Sequence, residues 1–250
     1  MFIESFLLLL ALNFLSAGRL NRPEERIIGG YPVEIEAFPW SVSFQINGRH
    51  SCGGSIYSND TIITAAHCFF DKGRRLDDRL FVIRAGSTSR KSSGILVKVD
   101  SVTLHENFVF QFLQNDIAVV RLSERLEFTN QVQPIPLAET NPEPGTMSLA
   151  AGWGQIYETE DLVVRPINIL GVKLRIQPPN HCIASYGQST ICAGNSKQST
   201  CRGDSGGALV IDSQLVGVVS GGEEYCDSAT FFTSVPFFRE WILNTTNSLS

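Results

Sequence analysis

The chain has 250 residues, 43% of them hydrophobic, which is enough apolar material for one or two packed cores. Its formal net charge of -5 argues against a nucleic-acid binder, which gathers Lys and Arg on one face. Six cysteines and 4 scattered histidines show no Cys-x-x-Cys or His-x-x-x-His spacing, so a zinc site is a poor reading and neither a metal nor another cofactor is expected.

Residues Phe6 to Leu15 form a short apolar run that ends in Ser16-Ala17-Gly18. This reads as a signal peptide over residues 1–18, although its start carries Glu4 and no Lys or Arg. The run is too short to span a bilayer, and no other segment is a candidate, so the expectation is a secreted, extracellular protein with no membrane partner. Residues 19–26 are polar, contain Pro23 and hold no cysteine that could tether them after a cut. The globular part is expected over residues 27–250.

From there, short Val/Ile/Thr/Phe runs alternate with turns, the pattern of an all-β sandwich or barrel. Trp40 to Ile46 runs into Asn47-Gly48, a hairpin signal. Ser51 to Tyr57, Thr61 to Ala65, Leu80 to Ala85, Ile95 to Val102 and Ile117 to Leu122 read as the next strands. The Pro-rich stretch Gln131 to Pro144 reads as a connection between halves that divide near residues 130–140. Met147 to Gly152, Gly171 to Ile176, Ala208 to Val210, Leu215 to Ser220 and Phe231 to Val235 continue the pattern. Only Pro236 to Thr245 reads as a helix, with Phe237, Phe238, Trp241 and Ile242 on one face. No internal repeat is visible.

Three settings carry chemistry. Cys201 precedes Gly203-Asp204-Ser205-Gly206-Gly207, a serine in a glycine-rich turn where backbone N–H groups can crowd a reacting carbonyl. Thr64-Ala65-Ala66-His67-Cys68 supplies an imidazole, and Asp116-Ile117-Ala118-Val119 a carboxylate. A serine hydroxyl is a weak nucleophile near neutral pH and needs such a base beside it. Taken singly, each has a bland reading as a turn, a core histidine and a strand start. Together, in this chain order, with Arg26-Ile27-Ile28-Gly29-Gly30 at the start and Ala151-Gly152-Trp153-Gly154 between, they resemble the chymotrypsin-like (trypsin family) serine peptidases over almost all of residues 27–243.

The resemblance implies two packed six-stranded antiparallel β-barrels with a C-terminal helix and the active site in the cleft between them. It implies Ser205 as nucleophile, His67 as general base, Asp116 as the group that orients it, and the N–H groups of Gly203 and Ser205 as an oxyanion hole. An even cysteine count alone leaves every connectivity open; the resemblance pairs Cys52 with Cys68, Cys182 with Cys192 and Cys201 with Cys226. It also implies a zymogen, cut after Arg26 by a trypsin-like protease, whose new Ile27 ammonium pairs with Asp204.

Ser199, Ser220, Gly222 and Thr230 are implied as substrate-binding residues. Trypsin-like members carry an aspartate where this chain has Ser199, and Thr230 narrows the pocket, so an uncharged side chain before the scissile bond is expected, chymotrypsin- or elastase-like. Gly221 stands where most members have tryptophan. Partners are then protein or peptide substrates, the activating protease and protein inhibitors, with no nucleic acid and a monomeric state. Alternatives are an inactive relative that acts as a binding protein, trypsin-like specificity despite Ser199, and an esterase on another fold, which needs its Gly-x-Ser-x-Gly on a strand-to-helix turn, whereas a strand-like run follows Ser205. The loop Ser87 to Ser93 holds no carboxylate and two cations, unlike a calcium loop. His50, His105 and His181 read as structural or exposed. Asn59 and Asn244 begin glycosylation acceptor triplets.

Overall fold

The computed structural model describes residues 29–158, 163–182 and 186–248. The signal-peptide segment, the segment 19–26, Arg26 and Ile27 lie outside them.

Six strands make the first barrel: β1 (Ser41–Ile46), β2 (Arg49–Ile56), β3 (Thr61–Thr64), β4 (Phe81–Ala85), β5 (Ile95–Leu104) and β6 (Ala118–Leu122). The barrel is closed, in the order β1-β2-β3-β6-β5-β4, with β4 pairing back to β1. Asn47 and Gly48 both take positive φ, 51° and 71°, which is what a tight hairpin between β1 and β2 requires. In β4, Phe81, Ile83 and Ala85 point inward while Val82 and Arg84 do not, the period of two read from the sequence. Phe44, Phe69 and Phe81 stack edge to face in the interior, and full burial of each ring is worth about 1.5–3 kcal/mol.

The second barrel comprises β7 (Met147–Gly152), β8 (Leu170–Gln177), β9 (Thr190–Ala193), β10 (Ala208–Ile211), β11 (Gln214–Gly221) and β12 (Thr230–Ser234). Its order is β7-β8-β9-β12-β11-β10, and β10 pairs back to β7. The same connectivity therefore occurs twice, although no sequence repeat announces it. Among the twelve barrel strands, β9 is the one the sequence reading lacked. It has four residues, one of them a bridged cysteine, and only its pairing with β8 and β12 makes it a strand.

The helix α1 (Val235–Ser248) runs longer than expected. The Ser234 hydroxyl accepts the N–H of Phe237 at 3.1 Å, an N-cap that starts it. Phe238 and Ile242 are buried against the first barrel's core, with Trp241 packed beside them. Phe237, read onto one face with Phe238, Trp241 and Ile242, is 53% exposed, because it lies about 100° around the helix from Phe238, at the edge of the packed stripe. The core that α1 joins is continuous from Phe44 in the first barrel to Ala208, Leu215 and Val218 in the second. That continuity fixes the two barrels against each other and sets the geometry of the groove between them.

Candidate active site

His67 lies on a 3-10 turn, Ala66–Phe69, directly after β3. Asp116 lies just ahead of β6, which pairs with β3, so the sheet carries the two side by side. The backbone N–H of His67 donates to Asp116 Oδ1 at 2.8 Å and its ring Nδ1–H to Oδ2 at 2.6 Å. This tautomer leaves Nε2 as the nitrogen available to a neighbour. Asp116 is fully buried, and the Ser220 hydroxyl also donates to Oδ2 at 2.5 Å. The Thr233 hydroxyl donates to the Asp116 carbonyl at 2.8 Å, which ties the pair to the second barrel. Burial pulls the His67 pKa down, but the Asp116 charge and hydrogen bond outweigh it and leave it above the ordinary 6.5. Cys52 and Cys68 lie against His67; their sulfurs are bonded to each other, so the cluster offers no thiolate to a metal.

Ser205 is held from both barrels. Its carbonyl accepts the N–H of Gly53 in β2 at 2.8 Å, and the next residue, Gly206, donates to Val219 in β11 at 2.8 Å. Gly206 has φ +80°, and a Cβ there would lie 2.1 Å from Thr64 Oγ1, so no other residue fits. Gly53 follows Cys52, whose disulfide partner follows His67. Ser205 is therefore docked against the histidine's own turn.

The backbone around Ser205 is anchored from behind. The Arg202 carbonyl accepts Gln155 N–H at 2.8 Å, and the Asp204 carbonyl accepts Gly207 N–H at 2.9 Å. In a trans peptide the N–H points away from its carbonyl. The N–H groups of Gly203 and Ser205 are therefore turned away from those anchors, and among the described residues neither has an acceptor. Gly203 has φ +101°. Its own carbonyl accepts His50 Nε2–H at 2.8 Å, and His50 Nδ1 accepts the Ser43 hydroxyl at 2.8 Å. Burial lowers the His50 pKa to about 4, against the opposing pull of the Gly203 hydrogen bond, so the ring is neutral and can play both roles. His50 and Gln155 are the site residues that sequence reasoning missed. Neither belongs to a motif, and only the fold brings them behind the turn.

Asp204 points inward, 2% exposed. It accepts Gly154 N–H at 2.8 Å and Cys201 N–H at 3.0 Å. A Cβ on Gly154 would fall 2.3 Å from its carboxylate, which explains the glycine. Burial raises its pKa to about 6 despite the two donors. Among the described residues no cationic side chain reaches it.

A cavity of about 210 Å³ opens beside Ser205 between the segments 199–205 and 219–226. Its inner end is hydroxylic: Thr230 Oγ1 lies 2.9 Å from Ser199 Oγ and accepts the Thr200 hydroxyl at 3.0 Å. Gly222 stands opposite, and a Cβ there would sit 3.8 Å from Thr230 Oγ1. The pocket is narrow at that level and contains no carboxylate at its base. The structure thus brings Ser199, Gly222 and Thr230 into one cavity, while Ser220 sits behind it, bonded to Asp116.

The hollow beside Gly221 is filled rather than empty. A Cβ there would meet the Phe231 ring at 2.7 Å and Leu113 Cδ1 at 3.0 Å. Phe231 comes from β12, directly paired with Gly221, so a neighbouring strand supplies an aromatic ring close to the position that lacks its own. The remaining bridges join Cys182 to Cys192 and Cys201 to Cys226. Asn244 is exposed on α1 and Asn59 half-buried in the turn before β3.

Comparison with known proteins agrees with this geometry. The Trypsin family model matches residues 27–242. Trypsin alpha of Drosophila melanogaster is 38% identical over 241 residues, covering 93% of this chain and 92% of that protein. Trypsin beta of Drosophila erecta is 39% identical over 236 residues, 91% of each. Among solved structures, neuropsin, a serine protease expressed in the limbic system of mouse brain, superposes with a TM-score of 0.78 at 25% identity, covering 87% of this chain and 98% of that one. With a histidine–aspartate pair and a serine in a glycine-rich turn between two barrels of one connectivity, the chain belongs to the trypsin family and is a serine endopeptidase of the chymotrypsin type.

Proposed function

We propose that the protein is a secreted endopeptidase, made as a zymogen, that cleaves after uncharged side chains through an acyl-enzyme on Ser205. His67 takes the Ser205 proton through Nε2 as the hydroxyl attacks the carbonyl carbon, and returns it to the leaving amine. Asp116 holds the tautomer and stabilises the imidazolium. Water, deprotonated by the same nitrogen, then releases the acyl group. The observation that carries this reading is the pair of N–H groups on Gly203 and Ser205 that meet no acceptor among the described residues. Two donors whose peptides are fixed from behind suit an oxygen that gains negative charge, and one such donor is worth about 2.7–4 kcal/mol of barrier.

The acid limb of the rate profile follows from His67. Its neutral form is the base, and its pKa lies above 6.5. We expect kcat/KM to fall tenfold per pH unit below that value and to level off above it. A profile flat down to pH of about 5 would remove His67 from this role.

The hydroxylic floor supports the choice of side chain. A lysine or arginine reaching Ser199 would leave its charge buried without a counter-ion, a cost of several kcal/mol. Activation is then assigned to another, trypsin-like protease, because this pocket would not accept Arg26. The signal reading of residues 1–18 and the three bridges are consistent with an oxidising exterior, where protein inhibitors would be met. Of the two acceptor asparagines, the exposed Asn244 is the better placed for glycosylation. The test is a peptide library offered to the trypsin-treated, repurified protein. Cleavage after uncharged residues is expected. Fast cleavage after arginine would overturn the specificity, and no cleavage at all would favour a silent binding relative.

A further inference from the structure

The cavity beside Ser205 has two walls, and they are tied together at different depths. At the base the ties are the buried hydroxyls of Ser199, Thr200 and Thr230. Along one side the Cys201–Cys226 bridge joins the walls, Cα to Cα 5.4 Å. At the outer edge the tie is ionic: an Arg202 guanidinium nitrogen lies 3.1 Å from Glu224 Oε1. Arg202 sits on the wall that leads to Ser205, and Glu224 on the wall that follows Gly222; both line the cavity. The inner ties are covalent or dry. The outer pair is 51% and 70% exposed, so water and salt reach it.

Resting on the reading of Ser205 as nucleophile, we propose that the Arg202–Glu224 ion pair is a charged strap across the pocket mouth that sets specificity by width. A slender aliphatic side chain enters beneath it. A broad aromatic one enters only when the pair parts. Glu223, adjacent in the chain and also lining the cavity, offers Arg202 another carboxylate when the pair opens. Exposed ion pairs hold only a few-fold bias between closed and open states, and that bias is screened by salt. Width selection of this kind is modest and salt-tunable, whereas the narrowing by Thr230 against Gly222 deeper in the pocket is not.

The test compares kcat/KM for peptides that differ only in phenylalanine or alanine before the scissile bond, at about 0.01 M and about 1 M sodium chloride. Active sites are first counted in the trypsin-treated protein with a fluorophosphonate probe, so misfolded molecules do not enter the rates. In the unmodified protein the Phe:Ala ratio should rise about two- to fivefold with salt, through KM. Arg202→Gln and Glu224→Gln should each raise the low-salt ratio similarly and flatten its salt response. The double exchange Arg202→Glu with Glu224→Arg should restore both. A ratio indifferent to salt and to both single changes, with full probe labelling, overturns the strap alone. Absence of labelling overturns the nucleophile reading beneath it.

Discussion

Replacing Ser205 with alanine should lower kcat of the trypsin-treated protein by about 10⁶-fold, and His67→Ala should cost nearly as much. The two losses should not add, because the residues act as one unit. Without the hydroxyl there is no acyl-enzyme for the imidazole to serve, and without the imidazole the hydroxyl keeps its proton. Asp116→Asn should cost less, about 10⁴-fold, because it misdirects the base without removing it. An asparagine amide offers the same backbone partners but favours the wrong tautomer at Nδ1, which now donates at 2.6 Å. What remains in each variant is the work of the Gly203 and Ser205 N–H groups. The checks are steady-state hydrolysis and fluorophosphonate labelling on the same preparations. Labelling should vanish in Ser205→Ala and be slow in His67→Ala. A Ser205→Ala protein that keeps a hundredth of the activity would end the proposed mechanism and point to another nucleophile.

Which parts of this were legible in the sequence depends on how local their causes are. The hairpin at Asn47-Gly48 was readable because a two-residue turn with both φ positive selects those residues itself. The motif around Ser205 was readable because its glycines answer to steric demands met within the same turn and its nearest neighbours. Strand β9 was not, since Thr190–Ala193 has no pattern of its own and exists through two partners distant in the chain. The same holds for His50 and Gln155. Their side-chain and backbone bonds to Gly203 and Arg202 span 153 and 47 residues, and nothing near them in the chain anticipates it. Gly221 shows the converse. The missing tryptophan was visible as a gap in a pattern, but the ring that fills the space belongs to Phe231, which reads simply as a strand residue. Phe237 was misplaced for a related reason: it stands at the edge of the apolar stripe, and only the neighbouring elements decide where burial stops.

Changing Arg26 to glutamine should leave the protein about 10²–10³-fold less active after trypsin treatment than the unmodified chain treated alike, the factor expected from losing one oxyanion donor. The cause lies at Asp204. Its carboxylate is buried beside the turn that aims Gly203, and its pKa is raised from 3.8 to about 6. Near neutral pH that displacement corresponds to roughly 3 kcal/mol against the ionised group in this arrangement, a population factor of about 100. An uncut chain holding an uncompensated charge there would occupy the competent arrangement rarely. Cleavage after Arg26 would free the α-ammonium of Ile27, and pairing with Asp204 would remove the cost and shift the population. Asp204→Asn supplies the control. It removes the charge but also the partner, so the cut protein should stay weakly active and should no longer respond to loss of the ammonium by acetylation. In the unmodified enzyme, pairing with Asp204 would hold the ammonium charged beyond the ordinary α-amino range of about 7.7–8.0, and activity should then persist until the pH passes above that range. Full activity of Arg26→Gln without any cut would show that the turn is aimed by its backbone anchors alone, by Gln155 and Gly207, and that the buried carboxylate is no switch.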